Sequence, residues 1–325
     1  MRLLVTGGAG YIGSVVAAEL LKAGHSVVIF DNLSHGRRAA VPAGASLVVG
    51  DIESRPQIDD LFRSHAIHAV LHFAALVEAA ESMQVPERYF RTNTVATLTL
   101  LESMREHGVG RLVFSSTAAV YGAPERIPIE ESDPMQPSNA YGESKLMVER
   151  MLEWFHTVYG LRYASLRYFN AAGAVGGLGE DHRPESHLIP LILRVALGRE
   201  PHVKICGTDY STPDGTCIRD YIHVLDLAAA HHLALEALSQ RGRMIYNLGL
   251  ERGFSVREVV DAARRVTGHA IPALESPRRP GDPPVLVASS KKIRQELSWQ
   301  PRFPDLQAII SSAWDWHRSY PDGYA

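Results

Sequence analysis

The glycines of Gly7-Gly-Ala-Gly-Tyr-Ile-Gly13 constrain this chain more than any other feature. They follow the apolar run Leu3-Leu-Val5 and open a helical pattern over 11–23. Glycine lets a strand turn tightly into a helix while a pyrophosphate approaches the backbone. The helix start then offers free N–H groups and the positive end of its dipole to phosphate. The chain that follows fits this opening. Short runs rich in Val, Leu, Ile and Phe lie at 2–6, 26–30, 46–49, 69–74, 110–115 and 162–168. They alternate with helical patterns at 11–23, 55–65, 86–107 and 139–159. Such alternation predicts an α/β fold, a doubly wound parallel Rossmann sheet with helices on both faces.

Past residue 170 the pattern changes. Residues 171–185 and 207–216 read as loops, 188–198 and 223–240 as helices, and 244–248 as a strand returning to the main sheet. A proline-crowded stretch, 271–284, precedes short helices near 290–297 and 304–318. The expected division is a dinucleotide-binding domain over 1–170 plus about 217–248, and a smaller α/β domain over 171–216 and 249–325. With 325 residues, 46% hydrophobic and 21% charged, the chain has the make-up of an ordinary globular protein. A net charge of −3 gives no footprint for nucleic acid, and no apolar run approaches the ~18 residues of a membrane span. The first strand starts at residue 2, so no signal peptide is expected. Cys206 and Cys217 are the only cysteines, which suits a reducing cytoplasm. No HExxH or cysteine-rich spacing occurs. His65, His68, His231 and His232 read as helix-surface residues, and no metal is expected.

Asp31 ends the second strand. A carboxylate there accepts both ribose hydroxyls and repels a 2′-phosphate, which favours NAD over NADP. Arg37 and Arg38 read as solvated charges. Asp51 reads either as an acceptor for the adenine amino group or as a helix cap beside Ile52. Tyr141 and Lys145 stand four apart, on one face of the helix at 139–159. A phenol titrates near 10, and a cation beside it favours the phenolate. The pair therefore reads as a general base for an alcohol whose hydride leaves to a cofactor. Thr117, at the end of Ser115-Ser-Thr117, offers a hydroxyl where ligands meet such sheets.

With these motifs in order, the chain resembles the extended short-chain dehydrogenase/reductase family. The segments that carry the likeness are Thr6–Ser14, Asp31-Asn-Leu-Ser34, His72-Phe-Ala-Ala75, Ser115–Gly122, Tyr141–Glu149, Leu166–Gly173, Gly207-Thr-Asp-Tyr210, Asp214–Val224, Tyr246-Asn-Leu-Gly249 and Arg279-Pro-Gly-Asp282. The resemblance implies inversion at C4 of a UDP-hexose, UDP-glucose and UDP-galactose first, through a transient 4-keto sugar and tightly bound NAD. It makes Tyr141 the acid/base, and has Lys145 hold the nicotinamide ribose and lower the Tyr141 pKa. Thr117 then binds the sugar 4-oxygen. Gly7, Gly10, Tyr11, Ile12, Gly13, Asp31, Asn32, Asp51, Ile52, Phe73, Ala74, Asn93 and Phe169 surround the NAD. Asn170, His187, Leu188, Arg219, Arg279 and Asp282 hold the UDP-sugar. A homodimer through the helices at 86–107 and 139–159 is implied as well. Ala118 and Ala119 stand where related dehydratases carry an Asp-Glu pair, which argues against elimination of water. Val77, Cys206 and Leu286 depart from well-known members near the diphosphate, the uracil and the position that gates N-acetylated sugars. UDP-N-acetylglucosamine or UDP-glucuronate is the alternative substrate.

Overall fold

Strand order explains where a ligand can sit. The computed structural model describes residues 1–279 and 282–324; Pro280 and Gly281 of the Arg279–Asp282 segment lie outside them. The strands are β1 (Arg2–Thr6), β2 (Ser26–Asp31), β3 (Ser46–Val49), β4 (Ala69–His72), β5 (Arg111–Thr117), β6 (Arg162–Tyr168), β7 (Asn170–Ala172), β8 (Val203–Cys206), β9 (Ile218–His223), β10 (Arg243–Leu248), β11 (Gly253–Ser255), β12 (Ala273–Ser276) and β13 (Val285–Leu286). Seven of them form one sheet in the order β10-β6-β5-β4-β1-β2-β3, with every pair parallel. From β1 the chain winds outward one way, and from β4 the other. A crevice therefore opens at the carboxyl ends of β1 and β4, where Thr6 pairs with His72.

The helices are α1 (Tyr11–Lys22), α2 (Arg55–Ser64), α3 (Ala79–Ser82), α4 (Pro86–Tyr89), α5 (Ala96–Glu106), α6 (Ala140–Tyr159), α7 (Leu188–Ala196), α8 (Val224–Ala237), α9 (Val256–Thr267), α10 (Lys291–Leu297) and α11 (Leu306–Ser319). Val15, Val16 and Leu20 of α1 and Leu227 and Leu235 of α8 bury one face of the sheet. Ile58 and Leu61 of α2, Leu100 and Leu101 of α5, and Val148 and Leu152 of α6 bury the other. Burying each such aliphatic side chain contributes about 1.5–3 kcal/mol. A smaller sheet is built around β9, which pairs parallel with β7 and β13 and antiparallel with β11. Helices α7, α9 and α11 share a third core there.

Several expectations need correction. Strand β4 stops at His72, because the next residues turn away to line the crevice. The helix expected over 86–107 is broken by a π-helical stretch, Phe90–Val95, between α4 and α5. The loop expected at 171–185 begins inside β7. Helix α9 falls in 249–270, where the sequence pattern predicts no element. Ser255 caps it, its hydroxyl accepting from Glu258 N while Glu258 returns a bond to Ser255 N. His231 is not a surface residue: it is fully buried on α8, a helix apolar nearly all round. Ile293 and Trp299 pack into the core with α1 and α8, so this part of the tail builds on the main sheet.

Candidate active site

The crevice is one continuous cavity of about 1010 Å³, running from the glycine turn past Thr117, Tyr141 and Lys145 to His187 and Leu188. At its cofactor end the glycines are required by contact. A Cβ on Gly7, whose φ is +70°, would lie 2.5 Å from Ala74 N, and one on Gly13 would lie 2.3 Å from Gly7 O. Gly10 precedes the first turn of α1, and Tyr11, Ile12 and Gly13 of that turn line the cavity. Tyr11 donates its hydroxyl to Gly173 O at 2.5 Å. Asp31 is buried at the end of β2, and its carboxylate accepts from Ala9 N at 2.9 Å and Leu33 N at 2.8 Å. Burial raises its pKa, and these amides oppose the rise. Asn32 donates to Asp51, which also accepts from Glu53 N; Asp51 lines the cavity, and Ser54, not Asp51, stands at the start of α2. Arg37 is not a solvated charge; it pairs with Asp181 at 3.3 Å. A cradle without side chains, a helix start and an acidic strand end fit a dinucleotide with a free 2′-hydroxyl. Ile52, Phe73, Ala74 and Phe169 line the same cavity. Asn93 does not. It stands behind the wall, exchanging bonds with Leu76 N and O at 2.8 and 3.0 Å and donating to Ser144 at 3.0 Å.

Asn139 starts α6 by accepting from Gly142 N at 2.8 Å, which sets Tyr141 in its first turn and Lys145 one turn on. A buried network fixes the helix to the sheet. Arg167 of β6 grips Glu149 of α6 with two bonds, at 3.0 and 2.6 Å, and Ser116 of β5 donates to the same carboxylate. The Thr117 hydroxyl caps the strand end by accepting from Ala119 N at 3.1 Å, and it also bonds Tyr141. Here the electrostatics differ from expectation. Burial raises the Tyr141 pKa; the Thr117 hydroxyl lowers it and Glu78 raises it. Lys145 does not set it in this state. Its Nζ lies 2.9 Å from Ser115 O, over the Phe114 ring, and burial brings its own pKa down to about 7. Sequence spacing predicts the shared face but not the depth of burial, which decides the sign.

Asn170, His187 and Leu188 line the cavity, and Asn170 donates to Asp220 O at 2.8 Å. Glu180 and Glu185 lift the His187 pKa well above the usual range, against its desolvation. Arg219, Arg279 and Asp282 are not brought to the cavity wall. Arg219 forms an ion pair with Asp282, and Arg279 is exposed on the neighbouring loop. Arg219 is nevertheless two residues from Tyr221, which does line the cavity, so both point to one side of β9. Val77 lies on the wall, and Cys206 ends β8. Leu286 packs against a cluster that contains Ala118 and Phe169.

A model of the NAD dependent epimerase/dehydratase family matches residues 3–249. The chain belongs to the NAD dependent epimerase/dehydratase family. It is 52% identical to a UDP-glucose 4-epimerase of Halalkalibacterium halodurans, over 100% of this chain and 98% of that one. A crystal structure of a UDP-glucose 4-epimerase, 49% identical, superposes with a TM-score of 0.97 over 100% of both chains. The Bifidobacterium longum UDP-glucose 4-epimerase, solved in complex with NAD+ and UDP, is 37% identical with a TM-score of 0.96 over 100% of both chains. Within this epimerase/dehydratase family scaffold, sequence reasoning missed Glu78, whose carboxylate faces the cavity and accepts from Ser186 at 2.6 Å. It also missed His231, which accepts the Tyr168 hydroxyl and packs its ring against Phe73 at 4.9 Å. No sequence signal separates either from surface residues.

Proposed function

We propose that this chain interconverts UDP-glucose and UDP-galactose at C4 of the hexose, with NAD resident in the glycine-turn end of the cavity. The reading rests on one observation: Tyr141, Lys145 and Thr117 meet in the cavity that begins at that turn. NAD held there would supply the acceptor and donor of the hydride at the sugar C4. The rest belongs to the side chains. Thr117 holds the 4-oxygen, and Tyr141 removes its proton and later gives it back. A phenol raised by burial needs help to ionise, so Lys145 must supply its positive charge in the loaded site. Asp31 accepts the adenine ribose hydroxyls. Asn170, His187, Leu188, Arg219, Arg279 and Asp282 hold the UDP, with Arg219 exchanging its Asp282 partner for phosphate. Bidentate guanidinium suits that exchange. Holding the nucleotide firmly leaves the 4-keto hexose free to turn its other face. Segments 171–216 and 249–325, apart from the stretch around Ile293 and Trp299 that packs on the main sheet, serve the UDP-sugar. Ala118 and Ala119 supply no acid or base for dehydration.

The chain acts as a homodimer through α5 and α6. Met147, Trp154 and Val158 form an exposed apolar stripe along α6, with Trp154 68% exposed. Sedimentation as a monomer would rule this out. Cys206 and Cys217 are free thiols, which suits the cytoplasm. Supplying UDP-galactose without added NAD should yield UDP-glucose and no net NADH. Build-up of NADH would indicate a one-way dehydrogenase instead. Full turnover by Tyr141→Phe would remove the assigned base.

A further inference from the structure

One group of metal-ligating side chains stands apart from the Tyr141 chemistry among the described residues. Glu180, His182, Glu185 and His187 come from the single segment that leads into α7. One donor atom from each lies within 4.8 Å of all the others. His187 Nδ1 is 2.8 Å from Glu180 Oε1 and 3.4 Å from Glu185 Oε1. His182 Nδ1 is 3.2 and 4.0 Å from the same two atoms. A tetrahedral ion with bonds of ~2.0–2.1 Å to nitrogen and oxygen spaces its ligand atoms roughly 3.3–3.4 Å apart. The observed separations straddle that spacing.

One further observation favours an ion over hydrogen bonds alone. His182 Nδ1 is shut off from solvent and makes no well-directed hydrogen bond, although it faces two carboxylates. The side chains of Glu180 and Glu185 are only 7% and 4% exposed, and Glu185 Oε1 already accepts from Ser186 N and His187 N, both at 2.8 Å. We propose that Glu180, His182, Glu185 and His187 form a tetrahedral site for a zinc-class divalent cation. The proposal does not rest on the reaction assigned above, although His187 belongs to both. Two imidazoles with two carboxylates suit zinc or cobalt, whereas calcium takes six to eight oxygens. Four protein ligands close the coordination shell, the pattern of a structural ion rather than a catalytic one. Glu180, His182 and His187 also line the cavity, so the ion stiffens that wall. Bound at Nδ1, the ion fixes His187 in the tautomer whose Nε2–H is free to donate to a ligand.

The test uses untagged, full-length protein stripped with a chelator and titrated with Co2+ alone. One equivalent should bind, with the intense visible bands of tetrahedral cobalt, and Zn2+ should bleach them stoichiometrically. His182→Asn and Glu185→Gln should each weaken Co2+ affinity by roughly 100-fold while keeping the far-ultraviolet circular dichroism of the parent. The parent titration decides by itself if a variant does not fold: no tetrahedral spectrum overturns the site. Equal Co2+ affinity in a folded variant overturns it as well.

Discussion

Replacing Lys145 with methionine should stabilise the nucleotide-free protein while destroying its activity. Lys145 is 2% exposed, and burial holds its pKa at about 7 against an ordinary 10.5. The unfolded chain therefore binds this proton more tightly than the folded one. Stability rises with pH between those two values, and the whole penalty stands below about pH 7. The gap is worth roughly 5 kcal/mol near pH 6, shrinking to roughly 2 kcal/mol near pH 9. Loss of the 2.9 Å bond to Ser115 O works the other way. An orphaned buried carbonyl costs about 1–3 kcal/mol, and methionine keeps most of the stem's volume. The variant should thus gain about 2–4 kcal/mol near pH 6 and almost nothing near pH 9. Urea unfolding of both proteins at acidic, neutral and alkaline pH measures the difference directly. A variant less stable at every pH, or a difference that ignores pH, would refute the burial argument.

Tyr141→Phe should lower turnover by about 10²–10⁴ while UDP binding, read by calorimetry, stays unchanged. Glu149→Ala leaves the Arg167 guanidinium buried without its carboxylate, so denaturant unfolding should report a loss of about 3–5 kcal/mol. Gly13→Ala drives a methyl group to 2.3 Å from Gly7 O, so the purified protein should carry little nucleotide by its ultraviolet absorbance.

Much of the main sheet is legible in the sequence because its strands are apolar runs and its helices repeat at helical spacing. The edges of β1, β3 and β6 match the expectation, and β10 returns to the sheet as its pattern implies. The small sheet around β9 was not legible. Strand β13 has two residues, and its pairing with β9 is made by tertiary contact rather than by local pattern. Helix α9 was readable in principle, since Ser255 and Glu258 spell a capping box before Val259 and Val260. His231 misled because α8 has no clear polar face to place it on. For the site, spacing identified the glycine turn, Asp31, Thr117, Tyr141 and Lys145 as neighbours of one cavity. It could not reveal that Asn93 stands behind the wall, or that Arg219 is already paired with Asp282. Those facts depend on how far each side chain is from solvent and on which charge reaches it first.

Asn93 has one more implication. By gripping Leu76 on one side and Ser144 on the other, it couples the segment after β4 to the helix that bears Tyr141 and Lys145. That segment and that helix are splinted, so a sugar cannot be admitted by prising them apart. Any widening of the cavity between them would first have to break the bonds that Asn93 makes to both.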